Sequence, residues 1–297
     1  MSDESTPTPA SKIESRRQFL KSAGVFAAAA AIAGCAQTPP PTPETIIQTV
    51  EVPTEVEVVK EVEVEKPLPA HPWTYVELDP KQARILGHQN YFNVNCCYGA
   101  FVAIVDALKE KVGYPFDQFP SLMFAFGGGG MAGWGGTCGA LIGAAAAINL
   151  LLPPKEASPI ISELVGWYTT TALPTKEAND LAANGEYVAE MVFAGELPQS
   201  EAHSMLCHAS VTNWCQAAQL GSGSPEVKER CGRLTGDVAA KAVEMLNAKL
   251  AGSFAPAFAQ DETTATCLGC HAPGESFEAG QFTRGLQECT SCHEPHD

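Results

Sequence analysis

Asn95-Cys96-Cys97-Tyr98-Gly99-Ala100-Phe101-Val102-Ala103-Ile104-Val105-Asp106-Ala107-Leu108-Lys109-Glu110-Lys111-Val112 spaces Phe101, Ile104, Val105, Leu108 and Val112 at intervals of mostly three and four residues. That period places the five on one face of an α-helix and predicts that this face is buried. Cys97, four residues before Phe101, falls on the same face. Further along, Gly139 to Leu152 is almost wholly apolar and stops at Pro153-Pro154. At about 14 residues it is too short to cross a bilayer, and it reads as a buried core helix. Ser224, Pro225 and Glu226 form an N-cap, first-position proline and acidic first turn. They open a third helix whose Val227, Cys231, Leu234, Val238, Ala242 and Met245 trace one apolar face. The expected fold is therefore mainly α: a helical, cysteine-rich domain over residues 71–255, then a short, loop-rich segment over 256–297.

Six of the 11 cysteines lie in the helical part: Cys96, Cys97, Cys138, Cys207, Cys215 and Cys231. An even number of thiols in an exported chain ordinarily means disulfides. The setting of Cys138 points elsewhere. It follows the glycine-rich run Gly127 to Gly136 and starts the apolar helix. A thiolate at a helix N-terminus is stabilised by the free N–H groups and the dipole. Glycines let further backbone N–H groups approach the same point. An anionic iron–sulfur cluster on thiolate ligands is suited by such surroundings, and a disulfide gains nothing from them. The run lacks Gly-Lys-Ser/Thr and a strand–helix alternation, which argues against nucleotide binding.

The chain closes with Cys267-Leu268-Gly269-Cys270-His271 and Cys289-Thr290-Ser291-Cys292-His293. Cys-x-x-Cys-His is the attachment signal for haem c. Both thiols add across the haem vinyl groups, and the histidine reaches the iron as proximal ligand. Without the histidines the four cysteines would match a zinc ribbon, but a ribbon has no use for a histidine after each second cysteine. Two covalent haems c are expected, held by Cys267, Cys270 and His271 and by Cys289, Cys292 and His293.

Residues 1–34 read as an export signal. Ser15-Arg16-Arg17-Gln18-Phe19-Leu20-Lys21 is a twin-arginine (Tat) pattern. Ala23 to Ala33 is a short apolar run, and Ile32-Ala33-Gly34-Cys35 resembles a lipobox with Cys35 as the acylated residue. Residues 35–70, rich first in Pro and Thr and then in alternating Val and Glu, read as an extended linker. The expected location is the outer face of the cytoplasmic membrane, held by the lipid. A net charge of −16 argues against nucleic acid as a partner.

Together, the Asn95 to Ala100 run, the glycine loop leading into Thr137-Cys138-Gly139-Ala140-Leu141-Ile142-Gly143, and Cys207, Cys215 and Cys231 resemble the C_GCAxxG_C_C redox-active protein family. With two haem motifs appended, the chain is similar to the split-Soret cytochromes c. The resemblance implies a largely helical domain holding an iron–sulfur centre, of the [2Fe-2S] type, on four cysteines. It also implies a homodimer with closely clustered haems, each with two histidine ligands. Carried over by position, Cys97 matches the first family cysteine, Cys138 the second, Cys207 or Cys215 the third and Cys231 the last.

If each haem takes a distal histidine, two must come from outside the motifs. His71 is assigned to an ordinary role, which leaves His88, His203, His208 and His296 as candidates, His296 for a neighbouring haem or one in a second subunit. The sequence thus describes an electron carrier serving redox partner proteins. A terminal reductase with an open haem or cluster site and a redox sensor are the alternatives. No acid–base or nucleophilic constellation favours catalysis.

Overall fold

The helix anticipated at residues 96–112 lies at the centre of the molecule. In the computed structural model, which describes residues 67–294, Phe101 to Val105 and Leu108 are sealed from solvent. The export signal, Cys35, most of the linker and His296 lie outside the described residues.

The helices, in chain order, are α1 (Pro80–Asn93), α2 (Cys96–Val112), α3 (Gly139–Leu151), α4 (Pro154–Thr170), α5 (Lys176–Ala183), α6 (Cys207–Ala218), α7 (Pro225–Leu250) and α8 (Glu262–His271). Among the described residues, extended pairing is limited to two isolated bridges, Thr137 with Leu206 and Leu173 with Ser200. The mainly α class expected from the sequence is the observed one. No helix among the described residues is long and apolar enough to cross a membrane.

Local chemistry sets the helix starts. Asp79, Asn95, Ser224 and Asp261 each cap a helix with a side-chain oxygen that accepts from a backbone N–H. Asn95 is doubly used: Oδ1 accepts from Cys97 and Tyr98, and Nδ2 donates to the Ala125 carbonyl oxygen at 2.7 Å. It therefore ties the start of α2 to the segment entering the glycine loop. Val112, expected on the buried face, is exposed, because α2 leaves the core one residue before Gly113.

Helix α2 packs between α3 on one side and α1 and α7 on the other. The α2–α3 contact is backbone to backbone. A Cβ on Gly143 would collide with the Cys97 carbonyl oxygen, and one on Gly139 would stand 2.5 Å from Cys96 Sγ. Those two glycines are close-approach residues. Where α1 meets α7, buried polar groups are paired. Arg84 Nε donates to Asp237 at 2.9 Å, and Glu229 accepts from Arg233 Nε at 3.1 Å and pairs with His88 Nε2 at 2.8 Å.

The C-terminal segment folds back onto the helical part. Glu163 accepts from the N–H groups of Ala257 and Phe258, and Phe258 lies against Gly166. The segment carries helix α8 as well as loops, and the first haem motif forms the last residues of that helix.

Candidate functional site

Three helix N-termini and one helix flank meet at a single cavity of about 410 Å³. Cys96 opens α2, Cys138 is the N-cap of α3, Cys207 opens α6 and Cys231 lies in the second turn of α7; all four line it. The glycine loop and the segment before α6 are stitched together to achieve this. Cys138 N–H donates to Met205 at 2.8 Å, Cys207 N–H to Gly136 at 2.7 Å and His208 N–H to Gly135 at 3.2 Å. The loop carbonyls thereby satisfy the first free N–H groups of α6, which has no side-chain cap.

At the first family position, where the sequence points to Cys97, it is Cys96 that lines the cavity. Cys97 does not line the cavity; its side chain packs against Gly127. Adjacent helical residues point about 100° apart, so with Cys97 on the Phe101 face, Cys96 is the one turned to the cavity. The signal was in the sequence: Cys97 already belonged to the buried stripe. Cys215 is also away from the cavity, against the cluster of Leu197, Trp214 and Val227. It sits two turns, about 12 Å, along α6 from Cys207. Of the two candidates for the third position, the structure brings Cys207 to the others.

Burial raises the thiol pKa values of Cys96, Cys138 and Cys207, with neighbouring sulfurs adding to the effect. Cys207 is pushed up to about 12, and Cys96 and Cys138 are also raised. For Cys138 the expected helix-terminus stabilisation is present as the Ala140 N–H, but desolvation outweighs it. The Gly129 N–H is aimed at Cys96 in the same sense. Thiols held protonated in this way release protons when a cationic centre binds.

Arg230 also faces this cavity. Its side chain is buried, Nη2 donates to Ser210 Oγ at 2.8 Å, and its Nε has no partner. Tyr168, buried as well, donates its hydroxyl to the same Ser210 oxygen at 2.8 Å.

A second cavity, of about 820 Å³, is lined by both terminal motifs: Cys267, Cys270 and His271 from one, Cys289 and His293 from the other. His271 Nδ1 lies 3.2 Å from the Gly280 carbonyl oxygen, the kind of contact that fixes the tautomer of a metal-ligating histidine. The Cys289 N–H donates to Thr264 Oγ1 at 3.2 Å, tying the second motif to helix α8.

The candidate distal histidines are scattered. His88 is sealed inside the α1–α7 contact, paired to Glu229 and stacked on Tyr187 at 3.8 Å. It is corrected from candidate ligand to core residue, because its ring is buried and its Nε2 is committed to Glu229. His208 is exposed at the start of α6 and lines neither cavity. Among the described candidates, His203 is the one beside a haem motif. Its backbone is left-handed at φ 51°, its Nδ1 lies 3.1 Å from Glu288, and its carbonyl oxygen accepts from Ser291 Oγ at 2.8 Å. Among the described residues, no three His, Cys, Asp or Glu side chains converge as a single metal ion requires.

Comparison with known proteins bears on this arrangement. Residues 95–245 match a family described as "Putative redox-active protein (C_GCAxxG_C_C)". Over 225 residues the chain is 37% identical to the split-Soret cytochrome c of Desulfovibrio desulfuricans, covering 74% of this chain and 77% of that one. The chain belongs to the split-Soret cytochrome c family. A solved structure of the Desulfovibrio desulfuricans split-Soret cytochrome c, reported to contain a novel iron centre, superposes with a TM-score of 0.67. It is 36% identical and covers 75% of this chain and 91% of that one. Membership in the split-Soret cytochrome c family supports a redox, electron-transfer function. The residues present fit such cofactors: thiols and helix N-termini around one cavity with a buried arginine that has no carboxylate partner among the described residues, and thiols and histidines of both Cys-x-x-Cys-His motifs around another.

Proposed function

We propose that the protein is an extracytoplasmic electron-transfer cytochrome with two covalent haems c and an iron–sulfur centre, of the [2Fe-2S] type, in each chain. The observation that carries this reading is that both Cys-x-x-Cys-His motifs line one cavity while four cysteines from separate helices line another. Haem c and an iron–sulfur centre each supply a one-electron couple. The chain's own part is to hold, orient and bury them. Cys267, Cys270, Cys289 and Cys292 would form the thioether links, and His271 and His293 would be the proximal ligands. Cys96, Cys138, Cys207 and Cys231 would hold the iron–sulfur centre, with the Gly129 and Ala140 N–H groups directed at its sulfurs.

Segment 203–207 joins the two sites. It begins at the carbonyl that accepts from Ser291 and ends at Cys207. This supports electron exchange within one chain. Phe277, Phe282 and Leu286 are exposed around the haem segment, which supports cover by a second subunit and distal histidines shared across a homodimer, His203 and His296 among them. Export by Tat, lipid attachment at Cys35 and external redox partner proteins complete the reading, and these rest on the sequence.

The test is the visible and electron paramagnetic resonance spectrum of the exported protein, with iron, sulfide and haem analysis. Two low-spin haems and additional iron with acid-labile sulfide are expected. High-spin haem that binds carbon monoxide would replace this reading with a terminal reductase.

A further inference from the structure

The helical core holds three arginines whose surroundings differ. Arg84 is paired with Asp237, and Arg233 with Glu229. Arg230 has no carboxylate partner among the described residues; its guanidinium meets the Ser210 hydroxyl, and its Nε meets no acceptor. A lone buried charge is strongly disfavoured unless an opposite charge compensates it. The groups beside this one are the sulfurs of Cys231 and Cys138 and the Tyr168 hydroxyl. A metal–thiolate centre in the cavity that Arg230 lines would supply the compensating negative charge.

We propose that Arg230, held in place by Ser210, is the counter-charge of the iron–sulfur centre and sets its reduction potential. The inference rests on the reading of this cavity given above and goes beyond it by assigning a role to a residue that is not a ligand. A centre of two ferric irons and two sulfides on four thiolates would carry two negative charges, and three after taking one electron, which a ferrous haem of the same chain would supply in becoming ferric. A fixed positive charge favours the more negative state, so it raises the centre's potential. Tyr168 lines the same cavity and donates to the Ser210 oxygen that also accepts from Arg230, so Ser210 fixes the place of both side chains. Arg230 is a positioning and tuning residue; electrons pass through the metal centres.

The experiment is a potentiometric titration of the purified holoprotein. The centre is followed by electron paramagnetic resonance and the haems by their visible bands in the same sample. Arg230→Gln removes the charge, and Arg230→Lys keeps it. The expected result is a midpoint for the centre at least 59 mV more negative in Arg230→Gln, a tenfold change for a one-electron couple. The haem midpoints stay unchanged, and Arg230→Lys shifts by less than half as much. Loss of non-haem iron in Arg230→Gln but not in Arg230→Lys supports the same role, since the charge is then needed to retain the anionic centre. An unchanged midpoint in Arg230→Gln with its iron intact overturns the proposal. Equal loss of iron in both variants also overturns it, since shape and not charge would then matter. Wild-type protein without non-haem iron and sulfide would instead remove the reading of the cavity itself.

Discussion

Ser291, in the middle of the second haem motif, donates its hydroxyl to the carbonyl oxygen of His203 at 2.8 Å. Four residues after His203 the chain reaches Cys207, at the other cavity. This run of chain between the two sites therefore contains one hydrogen bond and five residues. Ser291→Ala should slow electron equilibration between the haems and the cysteine-held centre, measured after a reducing pulse, and leave both midpoints in place. At so exposed a bond the stability loss should be about 1 kcal/mol or less. An unchanged rate would show that electrons take another route.

The two neighbouring cysteines at the start of α2 separate cleanly by face. Cys96→Ser should lose the non-haem iron and its spectrum, while Cys97→Ser should retain both. Cys207→Ser and Cys215→Ser should divide in the same way, with the loss at Cys207. Iron and sulfide analysis of the four variants decides it, and loss at Cys97 with retention at Cys96 would reverse the assignment.

His88 is a core residue, so His88→Ala should leave the haem spectrum untouched and lower stability. It leaves Glu229 buried with Arg233 and the Val192 N–H as remaining partners. The expected cost is about 3 kcal/mol, near the low end for breaking a buried pair. Thermal unfolding together with the visible spectrum checks both halves.

Asp261 caps α8, the helix that ends in the first haem motif, and accepts from the Thr264 N–H at 2.8 Å. That hydrogen bonding holds its carboxyl below the usual 3.8. A depressed folded value means that the cap stabilises fully above pH 3.8 and is lost as pH falls through the lower, folded value. Asp261→Ala should loosen α8 by about 1 kcal/mol near neutral pH, with the difference from wild type vanishing in acid. Amide hydrogen exchange across residues 262–271, compared between the two proteins at each pH, measures it.

Gly143 sits where α3 crosses the carbonyl of Cys97. Gly143→Ala forces the two helices apart at the point that positions Cys96 and Cys138. An overpacking cost of about 1–3 kcal/mol and impaired iron retention are expected, read by thermal unfolding and iron content. Gly221→Ala, in open space, serves as the control with neither effect.

Much of this was legible from residue spacing. The three- and four-residue intervals gave α2 and α7, the apolar run to Pro153 gave α3, and Ser224 and Pro225 gave a cap to within a residue. Such features depend on local geometry, which a short stretch of sequence carries in full. The helix at the haem segment was missed because its residues show little apolar period; its start signal, Asp261 followed by Glu262, was there to be found. His88 was misread because a histidine before a cysteine helix looks the same whether it faces a haem or a carboxylate 141 residues away.

The sequence by itself determined the helical class and the family, since each is written in residue types at short, fixed spacing. Only the tertiary structure decided which of Cys96 and Cys97, and which of Cys207 and Cys215, face the common cavity, and that Arg230 stands beside them without a carboxylate. Those outcomes depend on how four helices far apart in the chain rotate and approach one another. That is set by close packing at Gly139 and Gly143 and by the pairing of buried charges, and no local pattern contains it.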